Sequence, residues 1–260
     1  MAELFHDLRW IHIAVGTIAI ILFWIPVAAN KGGPLHVRIG WVYAGCMAVV
    51  VLTAFGMCGL IFAAPLRVRQ ISHALSVGET AQFVRDSRQI AFFLAYLGAL
   101  TLASGFQGIN VLRTRRHPES LRTPFAFGLN AAVILAALGS LTLGIYSRSA
   151  IFAAMSAVGF LVGGGNLSYL LRGPTSRMDW LYQHLSSMIG TGIAGYTAFI
   201  AFGGRHLLAP LVPPRYYVLF WLLPTAIGSP AITLTIAYYK RKYRDGGTAR
   251  ISKAGAVAAV

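Results

Sequence analysis

Hydrophobic residues dominate the chain in seven long stretches that are separated by short polar segments. Each stretch is long enough to cross a bilayer, since a membrane-spanning helix needs about 20 apolar residues, whereas barrel strands alternate in short segments. Because backbone polar groups in lipid must pair within the chain, the stretches are predicted to be α-helices. They lie at about 10–29, 38–64, 89–112, 124–146, 149–171, 181–203 and 216–239.

Charged side chains fall almost entirely in the gaps between these stretches. Arg38, at the edge of the second stretch, is the single Lys or Arg within the bounds, and all seven acids lie outside them. Charged residues make up 11% of the chain, against roughly 25% in soluble domains, and the mean hydropathy is +0.66. The sequence therefore predicts an all-α fold, a polytopic membrane helix bundle over residues 1–244, followed by a flexible tail over 245–260.

Lys and Arg are distributed unequally between the two sides of a seven-span arrangement. The side that carries the gaps after the first, third, fifth and seventh spans holds 14 of the 22, and the other side holds 8. Because positively charged loops stay in the cytoplasm, the N-terminus is predicted outside and the C-terminus inside a bacterial cytoplasmic membrane. The first span is expected to be retained as a helix rather than cleaved as a signal, because Glu3 and Asp7 precede it.

The basic side accounts for much of the net charge of +15. It is expected to attract the anionic lipid headgroups of the cytoplasmic leaflet. Its charges are scattered over several loops with no recognition fold beside them, which argues against nucleic-acid binding.

The longest gap, residues 65–88, has two interpretations that fit equally well. It is either a solvated connector or a short interfacial helix broken near Gly78. The helical interpretation depends on an apolar face formed by Val68, Ile71 and Leu75.

Two motifs lie within the last two spans. Pro224 and Pro230 each remove a backbone donor, so each is expected to kink or break the seventh helix, more often to bend it around its neighbours than to line a site. Gly190, Gly192 and Gly195 form a GxGxxG pattern, which binds dinucleotides only between a strand and a helix. Inside an apolar helix, small residues at this spacing favour close helix packing instead.

Histidines are the ionisable residues that enter or border the apolar spans. His12 lies one turn into the first span, near the predicted outer face, whereas His36 opens the second and His184 lies about a turn into the sixth, both near the inner face. Gly16 follows His12 by four residues, as Gly40 follows His36. A glycine one turn from a histidine leaves room on that helix face for a flat group such as haem, or for a neighbouring helix.

These histidines predict a cofactor site with alternatives that the sequence leaves open. Haem iron takes axial ligands from facing helices, so His36 and His184 are the predicted pair, with Gly40 as clearance and Arg38 or Arg177 as partners of propionates or lipid phosphates. A transition metal such as zinc needs three or four ligands at one depth. The third interpretation is that each histidine is an interfacial residue near a helix end, where it forms hydrogen bonds and binds no cofactor. Further candidate ligands are Asp179 and His117 on the inner side, and His12 with His6, His73 or His206 on the outer side.

Two runs of sequence carry a family resemblance. The first is His12-x3-Gly16 followed by residues 31–43, KGGPLHVRIGWVY, and the second is residues 178–184, MDWLYQH, with Met188-x-Gly190, residues 197–199 and residues 221–224 after it. Together they resemble a family of bacterial predicted membrane proteins of unknown function, domain-of-unknown-function family 2306. The resemblance implies a multi-pass helical protein and marks His12, His36 and His184 as positions of the family pattern, without implying an activity.

Three functions follow as hypotheses. The leading one is an integral membrane protein with a histidine-lined site near the cytoplasmic face, which binds haem or a transition metal through His36, His184 or His12 and has a redox role. The second is a small-molecule transporter or channel, which requires a cavity reaching the bilayer midplane from one side. The third is a structural or assembly subunit without a pocket, whose small-residue helix face meets a membrane-protein partner or a second copy.

Overall fold

The structure, a computed structural model, describes residues 1–68, 75–204, 213 and 216–245. The α-helices of the described residues are α1 (Ala2–Ala28), α2 (Pro34–Ala63), α3 (Pro65–Val68), α4 (Val77–Arg113), α5 (Pro124–Tyr146), α6 (Ala150–Arg172), α7 (Asp179–Ala198) and α8 (Val218–Lys242). A 3-10 turn over Pro118–Leu121 precedes α5, and a π-helical segment over Phe199–Gly204 extends α7.

Seven helices in the described residues, all except the four-residue α3, are long and apolar enough to cross a membrane. This confirms the predicted all-α fold with seven spans, and the chain has the build of a multi-pass membrane protein. Successive spans run antiparallel, so the connections at residues 29–33, 114–123, 173–178 and 243–245 meet at one end of the bundle. We call it the basic end, since most Lys and Arg residues lie there.

The long gap after α2 is shorter than the sequence predicts, because α4 begins at Val77. The Ser76 hydroxyl accepts from the Glu79 backbone N–H at 3.3 Å, and the Glu79 carboxylate accepts from the Ser76 N–H at 2.8 Å. This capping box starts a helix with Gly78 in its first turn, and the non-helical residues nearest to Gly78 are Leu75 and Ser76. α3 supplies a short helix before it, while Ile71 lies outside the described residues.

α8 continues through Pro224 and Pro230 without a break. The segment after its C-terminal end is held against the start of α7 and the connection that precedes it, because the Asp245 carboxylate accepts from the Ser176 hydroxyl at 2.7 Å and the Tyr182 hydroxyl at 2.9 Å. The hydrogen bond from Ser176 is the main reason that the pKa of Asp245 lies below its usual range. Asp245, predicted to begin the flexible tail, is therefore held in place, and residues 246–260 lie outside the described residues.

The glycine motif of α7 contributes to helix packing at one of its three positions. Gly192 lies against the Phe23 ring of α1 and has no room for a methyl group. A Cβ on Gly190 or Gly195 would meet no atom of a neighbouring residue within 4 Å. The packing interpretation therefore applies to Gly192, where the missing side chain lets α1 approach α7.

The interior of the bundle lies between α4, α5 and α6, where two apolar clusters are separated by a polar layer. The Asn166 amide donates to the Asn130 carbonyl oxygen across this layer at 2.9 Å. Gln107 is fully buried, and neither its oxygen nor its nitrogen has a hydrogen-bond partner among the described residues. The two clusters are Phe93, Tyr96, Leu100, Ala103, Val133, Ala137 and Met155 on one side, and Val111, Leu121, Ala126, Tyr169 and Leu170 on the other.

Replacing Gln107 by methionine is expected to raise the free energy of unfolding by about 1–2 kcal/mol. An unpaired buried amide costs about 1–3 kcal/mol, and the flexible methionine occupies a similar volume. Thermal unfolding in detergent measures the change. The matched control is Asn130→Leu, which leaves Asn166 unpaired and is expected to lower stability. A lower stability of Gln107→Met would contradict the prediction and indicate a partner such as a bound water.

Candidate functional site

A cavity of about 860 Å³ opens at the basic end, between the ends of α1, α2, α4, α7 and α8. Its volume is within the range of about 300–1,000 Å³ that is usual for ligand sites. Among the described residues, no carboxylate lines it. The lining aromatic residues are Phe23, Trp41, Tyr43, Tyr238, Tyr239 and Tyr243, and the lining basic residues are Lys31, His36, Arg113, His184 and Lys242.

The turn between α1 and α2 folds back sharply and places His36 against the end of α1. Gly32 has a φ of +79°, a left-handed conformation that glycine adopts without strain. Gly33 then caps α2, and Pro34 occupies its first turn, where a missing N–H costs nothing. The small and rigid residues that precede His36 in the sequence motif therefore form the turn that positions it.

Lys31 closes the end of α1 with its side chain. Its Nζ donates to the carbonyls of Val27 at 2.5 Å and Pro26 at 2.9 Å, and lies 3.4 Å from that of Ala29. The last carbonyls of a helix lack partners within it and carry partial negative charge, so the ammonium group stabilises this end. Burial lowers the pKa of Lys31, which places a partly desolvated cation in the cavity wall.

The structure brings His36 and His184 together across this cavity. Their ring centroids are 6.3 Å apart, and the ring planes are inclined by 67°. Two imidazoles that bind one ion from opposite sides have metal–nitrogen distances of about 2.0–2.1 Å and centroids roughly 6 Å apart. The observed centroid separation matches this spacing, and it is also the separation of two rings in edge contact.

Both imidazoles are held by a backbone carbonyl in the same way. The Nδ1 of His36 lies 3.0 Å from the Pro26 oxygen, and the Nδ1 of His184 lies 2.8 Å from the Gly108 oxygen. Because a carbonyl only accepts, each Nδ1 carries the hydrogen, and in the neutral ring Nε2 keeps its lone pair. Neither Nε2 has a hydrogen-bond partner within the described part of the chain. Histidines that bind metals show this arrangement, since the second nitrogen orients the ring.

His12 does not belong to this site. It lies sixteen residues before the end of α1 at Ala28, roughly 24 Å away at 1.5 Å per residue. Its Nδ1 lies 3.0 Å from the Thr53 hydroxyl and 3.1 Å from the Val50 carbonyl. His12 is therefore a hydrogen-bonded residue that packs α1 against α2.

The two His-x3-Gly motifs also differ in what their glycines do. A Cβ on Gly16 would meet the Val50 side chain at 3.7 Å, an ordinary packing distance, so this glycine faces the neighbouring helix. A Cβ on Gly40 would meet nothing within 4 Å, and Gly40 lines the cavity. Only the second motif leaves room for a ligand.

The lysine and arginine residues that line the cavity are not the arginines predicted from the sequence. Arg38 and Arg177 are exposed and lie outside the cavity lining. Arg38 follows His36 by two residues, which is about 200° around a helix, so the two side chains leave α2 on different sides. Lys31, Arg113 and Lys242 line the cavity instead. Their positions in the sequence indicate the end of the bundle at which they lie, but not whether their side chains point into the cavity.

The other candidate ligands are engaged elsewhere. The Asp179 carboxylate accepts from the Thr175 N–H at 2.6 Å and its hydroxyl at 3.0 Å, and His117 lies 3.4 Å from Glu119 at an exposed position. The Nε2 of His6 accepts from the Trp10 indole at 3.0 Å. No three His, Cys, Asp or Glu residues cluster as a metal site in the described ranges. His73 and His206 lie outside them.

Phe23 and Tyr43 line both this cavity and a second, small pocket that lies farther from the basic end. The Thr191 hydroxyl donates its single hydrogen to the Met188 carbonyl at 2.7 Å, so Tyr43 donates to Thr191 at 2.8 Å. From His36 to Ala44, the lining extends over nine residues of α2, or roughly 12 Å. The site is thus a pocket with two available imidazole nitrogens, aromatic walls and a cationic edge.

Comparison with known proteins adds no assignment to this geometry. No family model, no curated protein and no solved structure matches the chain, so its resemblance to domain-of-unknown-function family 2306 stays a prediction.

Proposed function

We propose that the cavity binds haem, with His36 and His184 as axial ligands, and that the chain is an integral membrane haem protein with a redox role at the predicted cytoplasmic face. The observation that carries this proposal is the pair of imidazoles with ring centroids 6.3 Å apart, each with its Nδ1 on a backbone carbonyl. Bound haem would supply one-electron redox chemistry, whose potential the axial ligands and the burial of the site adjust.

The donor set favours haem over an isolated metal ion. A structural or catalytic zinc site takes three or four protein ligands, and the described residues offer two at this point. Haem brings its own equatorial nitrogens and needs only the two axial positions from the protein. The aromatic walls and the open space beside Gly40 suit a flat, apolar macrocycle.

The alternatives receive less support from the same residues. A transporter or channel requires a cavity that reaches the bilayer midplane, whereas this lining extends over nine of the 30 residues of α2, from His36 to Ala44. A purely structural subunit has no use for a pocket of about 860 Å³. Redox or cofactor binding is therefore the conclusion that the geometry supports best.

The proposal is tested by titrating the purified protein with haemin and recording the Soret band. Wild type is expected to bind one haemin per chain. Gly40→Leu fills the open space in the cavity and is expected to weaken binding by about 5- to 150-fold, because overfilling a site costs typically about 1–3 kcal/mol and 1.4 kcal/mol is tenfold.

Gly45→Leu is the matched control for Gly40→Leu. Gly45 lies on the same helix, also faces open space within 4 Å, and does not line the cavity. It is expected to bind haemin like wild type. Failure of wild type to bind stoichiometric haemin, or equal weakening by both variants, would refute the haem site.

A further inference from the structure

The cations of the cavity are unneutralised by protein acids. In the described residues the ion pairs are His6 with Asp7 and His117 with Glu119, so no Lys or Arg there is paired with a carboxylate. Lys31, Arg113 and Lys242 nevertheless line one cavity with apolar walls. Like charges gathered beside low-dielectric walls raise the local potential and favour an anion.

Each of these cations is also held in position. The Lys31 ammonium group is fixed on the carbonyls at the end of α1. The Arg113 guanidinium lies 5.1 Å from the centroid of the Trp41 ring. The Lys242 ammonium lies 5.9 Å and 5.8 Å from the Tyr238 and Tyr239 rings. Cation–π contacts of this kind attract a cation without neutralising it, so the positive charge stays available to a ligand.

We propose that Lys31, Arg113 and Lys242 form an anion-binding pole, which takes the carboxylate or phosphate group of an amphiphile whose apolar body lies against the aromatic walls. The pole rests on the proposed function where that amphiphile is haem, whose two propionates supply the carboxylates. The same chemistry is offered by the phosphate of an anionic lipid, because the basic end faces a headgroup layer. Arg113 and Lys242 make the direct contacts, while Lys31 contributes a fixed charge.

Haemin and its dimethyl ester separate the anionic group from the macrocycle. The variant is Arg113→Gln/Lys242→Gln, and the measurement is the dissociation constant of each compound from the Soret band. Wild type is expected to bind haemin about 10- to 100-fold more tightly than the ester, since hydrogen bonds between charged groups are strong. The variant is expected to lose this preference while its affinity for the ester stays unchanged.

The control variant Arg38→Gln/Arg177→Gln removes the same charge from the same end of the bundle. Both arginines are exposed and outside the cavity lining, so its preference for haemin is expected to remain that of wild type. An unchanged preference in Arg113→Gln/Lys242→Gln, or a loss of preference in the control variant, would overturn the pole.

A lipid arm keeps the pole testable if wild type binds neither compound, which would refute the proposed function alone. Native mass spectrometry then compares one-to-one retention of phosphatidylglycerol and phosphatidylcholine. Selective retention of phosphatidylglycerol by wild type and the control variant, lost in Arg113→Gln/Lys242→Gln, supports a pole for a lipid phosphate. Equal retention of both lipids, or no effect of the variant, overturns it.

Discussion

Replacing His36 or His184 by alanine is expected to weaken haemin binding by at least 100-fold and to abolish the spectrum of a six-coordinate iron. Loss of an outer hydrogen-bond partner of a metal ligand already costs about 10- to 100-fold in affinity, and these changes remove the ligand itself. No third His, Cys, Asp or Glu clusters with this pair in the described residues, so no other side chain of these types can replace a deleted histidine as ligand. The measurement is haemin titration followed by the Soret band of each variant.

Added imidazole separates loss of the ligand from loss of the fold. It occupies the space that the deleted ring leaves, so it is expected to restore the wild-type spectrum of His36→Ala and His184→Ala. His12→Ala serves as the control, because His12 is bonded to Thr53 and Val50 far from the cavity. Haemin binding that survives either cavity substitution, or that fails equally in His12→Ala, would contradict the assignment of the ligands.

Replacing Gly159 by alanine is expected to lower the free energy of unfolding by about 2–4 kcal/mol. A Cβ at this position would overlap the Tyr96 side chain and lie 2.8 Å from the Cβ of Ala137. Both neighbours are buried, and the Tyr96 hydroxyl donates to the Met155 carbonyl at 2.7 Å. Overpacking costs about 1–3 kcal/mol, and displacing Tyr96 would leave polar groups unpaired at a further 1–3 kcal/mol. Thermal unfolding in detergent measures the loss.

Gly165→Ala is the matched control, since Gly165 lies on the same helix and faces open space within 4 Å. Removing a helical glycine there is expected to leave stability unchanged or to raise it by up to about 1 kcal/mol. A loss of stability in Gly165→Ala as large as that in Gly159→Ala would show that the backbone of α6, rather than the contact with Tyr96, sets the effect.

Much of the fold follows from the sequence because burying a charge in lipid is costly. The seven apolar stretches correspond to seven spanning helices. Several helices extend beyond the stretches into the polar gaps, so that Glu3 and Asp7 lie in α1 and Asp179 begins α7. At the start of α4, the capping box of Ser76 and Glu79 extends the helix beyond its apolar part. Hydropathy detects the part of a helix inside the bilayer, whereas hydrogen bonding at the cap decides where the helix begins.

The pattern of apolar and charged residues is enough to estimate the depth of each residue along the membrane normal, and this depth pairs His36 with His184. It could not determine rotation about each helix axis, because an apolar helix in lipid lacks the polar face that reveals its orientation in a soluble protein. Arg38 and Lys31 are near the same depth, yet only Lys31 lines the cavity. His12 and His36 precede equivalent glycines, yet only Gly40 opens on empty space. Tertiary packing decides which residues line the cavity, because the side of a helix that faces a cavity depends on the helices that surround it.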